Sequence, residues 1–165
     1  MTPSTGFPPI AKPDARILIL GSLPGERSIR EQQYYAHPQN AFWRIMAELY
    51  DINGEYDVRA AQLCERRIAL WDVLHSSVRP GSMDADIRAA TARPNDFAGF
   101  LARHASIELI AFNGRKAEQL FQRLVDPLEN AAGIRRASLP STSPAYASMP
   151  FSGKLAAWRE ALQIE

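Results

Sequence analysis

The stretch RILILGSLPGERS, Arg16–Ser28, decides how this chain reads: a β-branched and leucine-rich run stops abruptly at Gly-Ser-Leu-Pro-Gly. A short, continuous apolar run bounded by turn residues fits a strand buried on both faces, as in a parallel sheet covered by helices. Gly21 and Gly25 around Pro24 let the backbone turn sharply and approach a ligand, because glycine lacks Cβ and proline fixes φ. An ordinary strand-to-helix turn has the same composition. No Gly-Lys-Ser/Thr follows, so the loop is not a Walker phosphate cradle.

Further along, RRIALWDVL (Arg66–Leu74), IELIAFNG (Ile107–Gly114) and the shorter Arg135–Leu139 read as three more strands. Between them, Phe42, Trp43, Met46 and Leu49 recur at helical spacing, with Asn40 as N-cap and Asn53-Gly54 closing the segment. Asn95–His104, Arg115–Val125 and Ser152–Leu162 carry comparable stripes: Phe97, Phe100 and Leu101; Ala117, Leu120, Phe121 and Leu124; Leu155, Trp158 and Leu162. Strands alternating with helices predict an α/β fold, a three-layer α/β/α sandwich around a central, mainly parallel four-stranded sheet. Met1–Asp14, with four prolines, reads as an irregular arm over the core.

At 165 residues, with 46% apolar and 22% charged content, the chain is expected to form a single domain over residues 1–165. Nineteen basic and eighteen acidic side chains leave a net charge of +1, so any face for nucleic acid must be local. Cys64 is the only cysteine, and His37, His75 and His104 are scattered, so neither a metal nor another cofactor is expected. The chain opens without a signal-peptide pattern, and no apolar run approaches the roughly 20 residues of a membrane span. A cytoplasmic monomer with no membrane and no obligate protein partner is the expectation.

Ligands of open α/β sheets gather beyond the carboxyl ends of the strands. GSLPG, WDVLHSS, FNGRK and LPSTSPA all fall there, which predicts one site built from four loops. Tyr35, in the loop before the first long helix, is the candidate platform for stacking a flipped base, whereas Phe42 and Trp43 read as core. Asn40 has a donor and an acceptor for a water or a base edge, although its simplest task is the helix cap. Asp72 and Asn113 end strands and offer polar edges to a base. His37 reads as positioning a neighbour or a phosphate. Ser141, Thr142 and Ser143, held between Pro140 and Pro144, are suited to phosphate contacts, with Arg115, Lys116, Arg135, Arg136 and Lys154 as a candidate basic rim.

GSLPGERS (Gly21–Ser28), YYAHPQNAFW (Tyr34–Trp43) and LPSTSPAYA (Leu139–Ala147) together resemble the uracil-DNA glycosylase superfamily, and in particular its hypoxanthine-DNA (deoxyinosine) glycosylase branch. The likeness extends from Arg16 to Trp158. It implies that the first segment lies by the scissile bond, with Ser22 and Leu23 at the base and Pro24, Gly25 and Ser28 along the DNA. It implies that the last segment, from Leu139 through Pro140 to Ser143, meets the DNA backbone and minor groove, with Gly114 and Arg115 nearby. AHPQNAFW is similar to the AHP-x-N-x-FW stretch of mismatch-specific uracil glycosylases, whose preceding aromatic stacks on the extruded base. The resemblance transfers a catalytic role to Asn40 and a base contact to Asn113, and sets Asp72 where uracil-specific relatives place a base-reading asparagine. Leu23 stands where many relatives carry Asp or Asn, and Leu139 where they carry His or Asn.

The activity so implied is hydrolysis of the N-glycosidic bond of deoxyinosine in DNA, without strand cleavage and insensitive to chelators. Alternatives are excision of uracil or xanthine on the same scaffold and a catalytically silent DNA- or nucleotide-binding module. A serine hydrolase fits poorly, because GSLPG is not G-x-S-x-G.

Overall fold

A computed structural model describes residues 3–163 of the chain. In chain order the strands are β1 (Ser4–Thr5), β2 (Ile17–Gly21), β3 (Ile68–Asp72), β4 (Leu74–Ser77), β5 (Arg93–Pro94), β6 (Leu109–Asn113) and β7 (Arg135–Leu139). The helices are α1 (Glu26–Glu31), α2 (Phe42–Tyr50), α3 (Tyr56–Glu65), α4 (Phe97–Arg103), α5 (Arg115–Leu124) and α6 (Phe151–Ala161). Four strands pair in parallel in the order β3-β2-β6-β7.

The pleat sorts side chains to two faces. Leu18, Leu20, Ala69, Trp71, Ile110 and Phe112 pack with Phe97, Phe100 and Phe121 of α4 and α5. Ile19, Ile68, Leu70, Leu109 and Ala111 pack with Phe42, Met46, Leu63 and Trp158 of α2, α3 and α6. The three-layer α/β/α prediction therefore holds, and the sheet is wholly parallel. From β2 the chain goes first to β3 on one side and then, after β3, to β6 on the other. The crevice at that reversal, beyond the carboxyl end of β2, is where this architecture places ligands.

Three predictions need adjustment. The run Arg66–Leu74 divides at Val73, because β4 leaves the main sheet to pair with β1 and β5 in a small antiparallel sheet. The arm is consequently less irregular than its prolines imply: Ser4 and Thr5 pair with Ser77 and Ser76, and Ile10 bridges Leu70. Finally, α2 ends at Tyr50, capped by Asp51 in the left-handed conformation with φ 57°, before Asn53-Gly54 is reached.

All three tryptophans of the chain hold a loop by its backbone. The indole N–H of Trp43 donates to the Tyr34 carbonyl at 2.8 Å, that of Trp71 to Phe7 at 3.0 Å, and that of Trp158 to Pro140 at 2.9 Å. Each ring is buried, so the bond forms in a medium where leaving either partner unpaired costs about 1–3 kcal/mol.

Candidate functional site

A cleft of about 1220 Å³ opens at the carboxyl ends of β2, β3, β6 and β7. Ser22, Leu23, Pro24, Gly25, Ser28, Tyr35, His37, Asn40, Asp72, Asn113 and Arg115 line it, as do Leu139, Pro140, Ser141, Thr142 and Ser143. Gly114, Lys116 and the candidate rim residues Arg135, Arg136 and Lys154 are not among its lining residues. Gly114, at φ +94°, has the Ser141 Cβ 3.2 Å from where its own Cβ would lie, so its task is to let two loops touch. Lys116, one residue further, is also outside the lining. The basic rim is smaller than the sequence implied: Arg135 begins β7, at the strand end away from the cleft, and Arg136 makes a bidentate pair with Asp126 at 2.7 Å. Arg27 and Arg30 of α1 line the cleft instead.

The floor is formed where β2 and β3 end side by side, Gly21 opposite Asp72. A Cβ on Gly21 would stand 2.6 Å from Asp72 Oδ1 and 2.7 Å from the Tyr35 hydroxyl, so only glycine admits both groups at this point. Tyr35 holds a left-handed backbone, φ 55°, and its ring stacks on Phe42 at 4.4 Å between centroids and 25° between planes. Phe42 thus backs one face of the ring. The Tyr35 hydroxyl and Asp72 Oδ2 are both buried without a hydrogen-bond partner. Buried polar groups are seldom left so, and each exception calls for a reason. Burial, followed by the charge of Asp84, pushes the Asp72 carboxyl up to about 7. Burial and then the Asp72 charge raise the Tyr35 hydroxyl, which stays neutral.

The opposite side is braced. Asn113, buried at the end of β6, donates from Nδ2 to Thr142 Oγ1 at 3.0 Å and accepts the Thr142 N–H at 3.0 Å. The Thr142 carbonyl in turn accepts the Ala41 N–H at 3.0 Å. This chain of bonds joins β6, the Leu139–Ser143 loop and the start of α2. The N-cap of that helix is Ala41, one residue later than the sequence implied, and Asn40 Oδ1 accepts the Phe42 N–H at 3.0 Å from just before it. Ser141 Oγ and Ser143 Oγ accept the N–H groups of Ser143 and Ala145, and Lys154 Nζ donates to the Ser143 carbonyl at 3.2 Å. Burial lowers the Lys154 ammonium. Ser28 Oγ accepts the Ala36 N–H at 3.1 Å and His37 Nδ1 the Gln39 N–H at 3.1 Å, both bracing the Tyr35 loop.

Sequence reasoning missed the segment after β4. Ser82, Met83, Asp84 and Ala85 form a wall of the cleft. The Arg79 guanidinium, buried, donates to the carbonyls of Leu23 and Pro24, Ser22 Oγ donates to Asp84 Oδ1, and Ser82 Oγ accepts the Glu26 N–H at 2.8 Å. No periodic pattern announces this segment. Its one signal was Arg79 followed by Asp84 and Asp86, a charge cluster after a short polar strand. Among the described residues, no three His, Cys, Asp or Glu side chains converge in a manner that would hold a metal ion, and no helix is long and apolar enough to cross a membrane.

A family model described as the uracil DNA glycosylase superfamily matches residues 8–163. The chain is 40% identical over 143 residues to a protein named hypoxanthine DNA glycosylase from Methanosarcina acetivorans, covering 85% of this chain and 86% of that one. It is 36% identical over 163 residues to a hypoxanthine DNA glycosylase from Methanosarcina barkeri, covering 96% and 97%. The solution NMR structure of a Methanosarcina acetivorans protein, described as a candidate uracil DNA glycosylase, superposes with a TM-score of 0.78 at 36% identity, over 98% of this chain and 99% of that one.

Proposed function

The chain belongs to the uracil DNA glycosylase superfamily, and from that membership we propose that it is a DNA glycosylase hydrolysing the N-glycosidic bond of deaminated bases, deoxyinosine first among them, in base-excision repair. The observation that carries the reading is the floor of the cleft. Tyr35, backed by Phe42, offers a ring to an extruded base, and two buried polar atoms beside it await partners. An extruded purine supplies both a π face and a polar edge.

Flipping costs a few kcal/mol, less for a hypoxanthine mispair, which pairs and stacks poorly. Rupture of the C1′–N9 bond leaves positive character on the sugar and electron density on the base, so oriented dipoles and a held water lower the barrier. Asn40 is the catalytic residue in this reading. Its Oδ1 is anchored by the Phe42 N–H, which aims Nδ2 and the second Oδ1 lone pair for a water or the leaving base. Asn113, with one amide hydrogen and one lone pair beyond its Thr142 bonds, contacts the base together with Asp72. The Pro140–Ser143 loop and Arg115 grip the DNA backbone. Lys154 is bonded to Ser143 and is not among the residues lining the cleft, which supports a monofunctional enzyme that leaves an abasic site uncut.

The test is incubation with end-labelled duplexes carrying deoxyinosine, uracil or xanthine, followed by alkali and a sizing gel, with Asn40→Ala alongside. Alkali-dependent cleavage at deoxyinosine, lost in the variant, is expected. Cleavage mainly at uracil would reassign the substrate, and cleavage nowhere would remove the enzymatic reading. Borohydride trapping of a protein–DNA adduct would overturn the monofunctional assignment.

A further inference from the structure

We propose that Asp72 is the general acid of the excision reaction, giving its proton to a ring nitrogen of the departing purine as the C1′–N9 bond breaks. The inference rests on the glycosylase reading and adds a step to it. Asp72 is 4% exposed, lies on the floor of the cleft, and its Oδ2 has no partner. A carboxylate in that position would be a buried, unsatisfied charge, which proteins avoid by keeping the group protonated.

The surroundings on balance favour the neutral acid, with burial and Asp84 outweighing the opposing charge of Arg79. Tyr34 and Tyr35 approach from the loop before α2, both kept neutral by burial. Asp84 approaches from the wall after β4, and its negative charge opposes a second one. Arg79, the cation of the group, donates to the carbonyls of Leu23 and Pro24 rather than to Asp72. Asn95 takes the main-chain oxygen of Asp72 at 2.8 Å and leaves the carboxyl alone. The resulting position near 7 is where an acid both holds its proton and gives it up readily at neutral pH.

The chemistry of the leaving group is helped by such a donor. A purine keeps basic ring nitrogens when attached to the sugar, so protonating one turns the base into a better leaving group. In the step, the electron pair of the C1′–N9 bond passes to the purine and the Asp72 proton passes to a ring nitrogen. The base departs neutral. The oxygen of a water bonds to C1′, and the proton it sheds returns through solvent to the Asp72 carboxylate.

The experiment is the single-turnover rate of base release from a deoxyinosine duplex, from about pH 5 to about pH 9, for the wild type and for Asp72→Asn. Asparagine keeps the shape and a hydrogen-bond donor but has no proton to transfer. The wild-type rate is expected to fall about tenfold per pH unit once Asp72 ionises, while Asp72→Asn is pH-flat over that range and about 100-fold or more slower near pH 6. Binding of both proteins to a duplex carrying non-hydrolysable 2′-fluoro-deoxyinosine is expected to agree within a few-fold, which a merely structural role would not give. A variant that retains the wild-type rate and profile would overturn the proposal. So would a wild-type rate that stays flat with pH, a result that needs no variant at all. A wild type that releases no base from any duplex at any pH would instead defeat the glycosylase reading itself.

Discussion

The two sides of the cleft handle their polar groups in opposite ways. Around β6, β7 and the start of α2, Asn113, Thr142, Ala41, Ser141 and Ser143 bond to one another, and the result is a braced wall. Where β2 meets β3, the Asp72 carboxyl and the Tyr35 hydroxyl are buried with no partner. The comparison separates scaffold from chemistry: satisfied groups hold position, and unsatisfied ones are kept for something that arrives. A base-excision site needs both, because a flipped nucleotide must meet a rigid surface on one side and unspent hydrogen-bonding capacity on the other.

The sharpest way to break this comparison is to remove the charge from the unsatisfied side. With its folded-state pKa raised to about 7, Asp72 holds its proton more tightly in the folded protein than in the unfolded chain. Stability is therefore full below about pH 4 and declines as the pH rises towards 7, by up to about 4 kcal/mol. Asp72→Asn should abolish that decline and be the more stable protein at alkaline pH, as urea unfolding at acid and alkaline pH would report. A wild-type curve without the slope would mean that the carboxyl has a partner after all.

Gly21→Ala attacks the same side by space rather than charge. The new methyl would lie 2.6 Å from Asp72 Oδ1 and 2.7 Å from the Tyr35 hydroxyl, forcing both to move. Excision should fall about 100-fold, the cost of misplacing reacting groups by an ångström, with about 1–3 kcal/mol of stability lost to overpacking. Single-turnover rates and a melting curve measure the two effects. Full activity would show that the floor adapts and is not preorganised.

On the braced side the same experiment should read in stability as well as in base contact. Asn113→Ala leaves the Thr142 N–H and hydroxyl without their partner and should cost about 2 kcal/mol in urea unfolding. It should also weaken duplex binding by loosening the Leu139–Ser143 loop. The smallest effect is expected away from the cleft, where the Asp96 carboxylate caps α4 by accepting the Gly99 N–H at 3.0 Å. Asp96→Ala should lose about 1 kcal/mol and leave the excision rate unchanged, which calibrates how much of any loss comes from folding alone.

Much of this arrangement was legible in the sequence, for a physical reason. Strands buried on both faces must be apolar throughout, so β2, β3 and β6 announce themselves as Ile-Leu-Ile-Leu, Ile-Ala-Leu-Trp and Leu-Ile-Ala-Phe. The loops that follow them were therefore in view in the sequence, and with them Asp72 and Asn113, whereas Tyr35 and Asn40 came from the segment before the α2 stripe and from the family resemblance. What escaped were elements whose burial comes from few side chains. In α3 only Leu63 is buried, α1 spans six residues, and β1 and β4 are short and rich in Ser and Thr, with no period to detect. The wall at Ser82–Ala85 escaped for the same reason. That Asn113 is tied to Thr142 while Asp72 is left unpaired is a property of three-dimensional neighbours, which residue type alone does not encode.

Because each indole N–H is fastened to a carbonyl of a different loop, the protein carries its own optical gauges. Trp43 reads the segment that bears Tyr35, Trp71 the N-terminal arm, and Trp158 the loop at Pro140. Emission from single-tryptophan versions, the other two replaced by phenylalanine, would report which loop shifts as a duplex is engaged, and in what order, without attaching a dye.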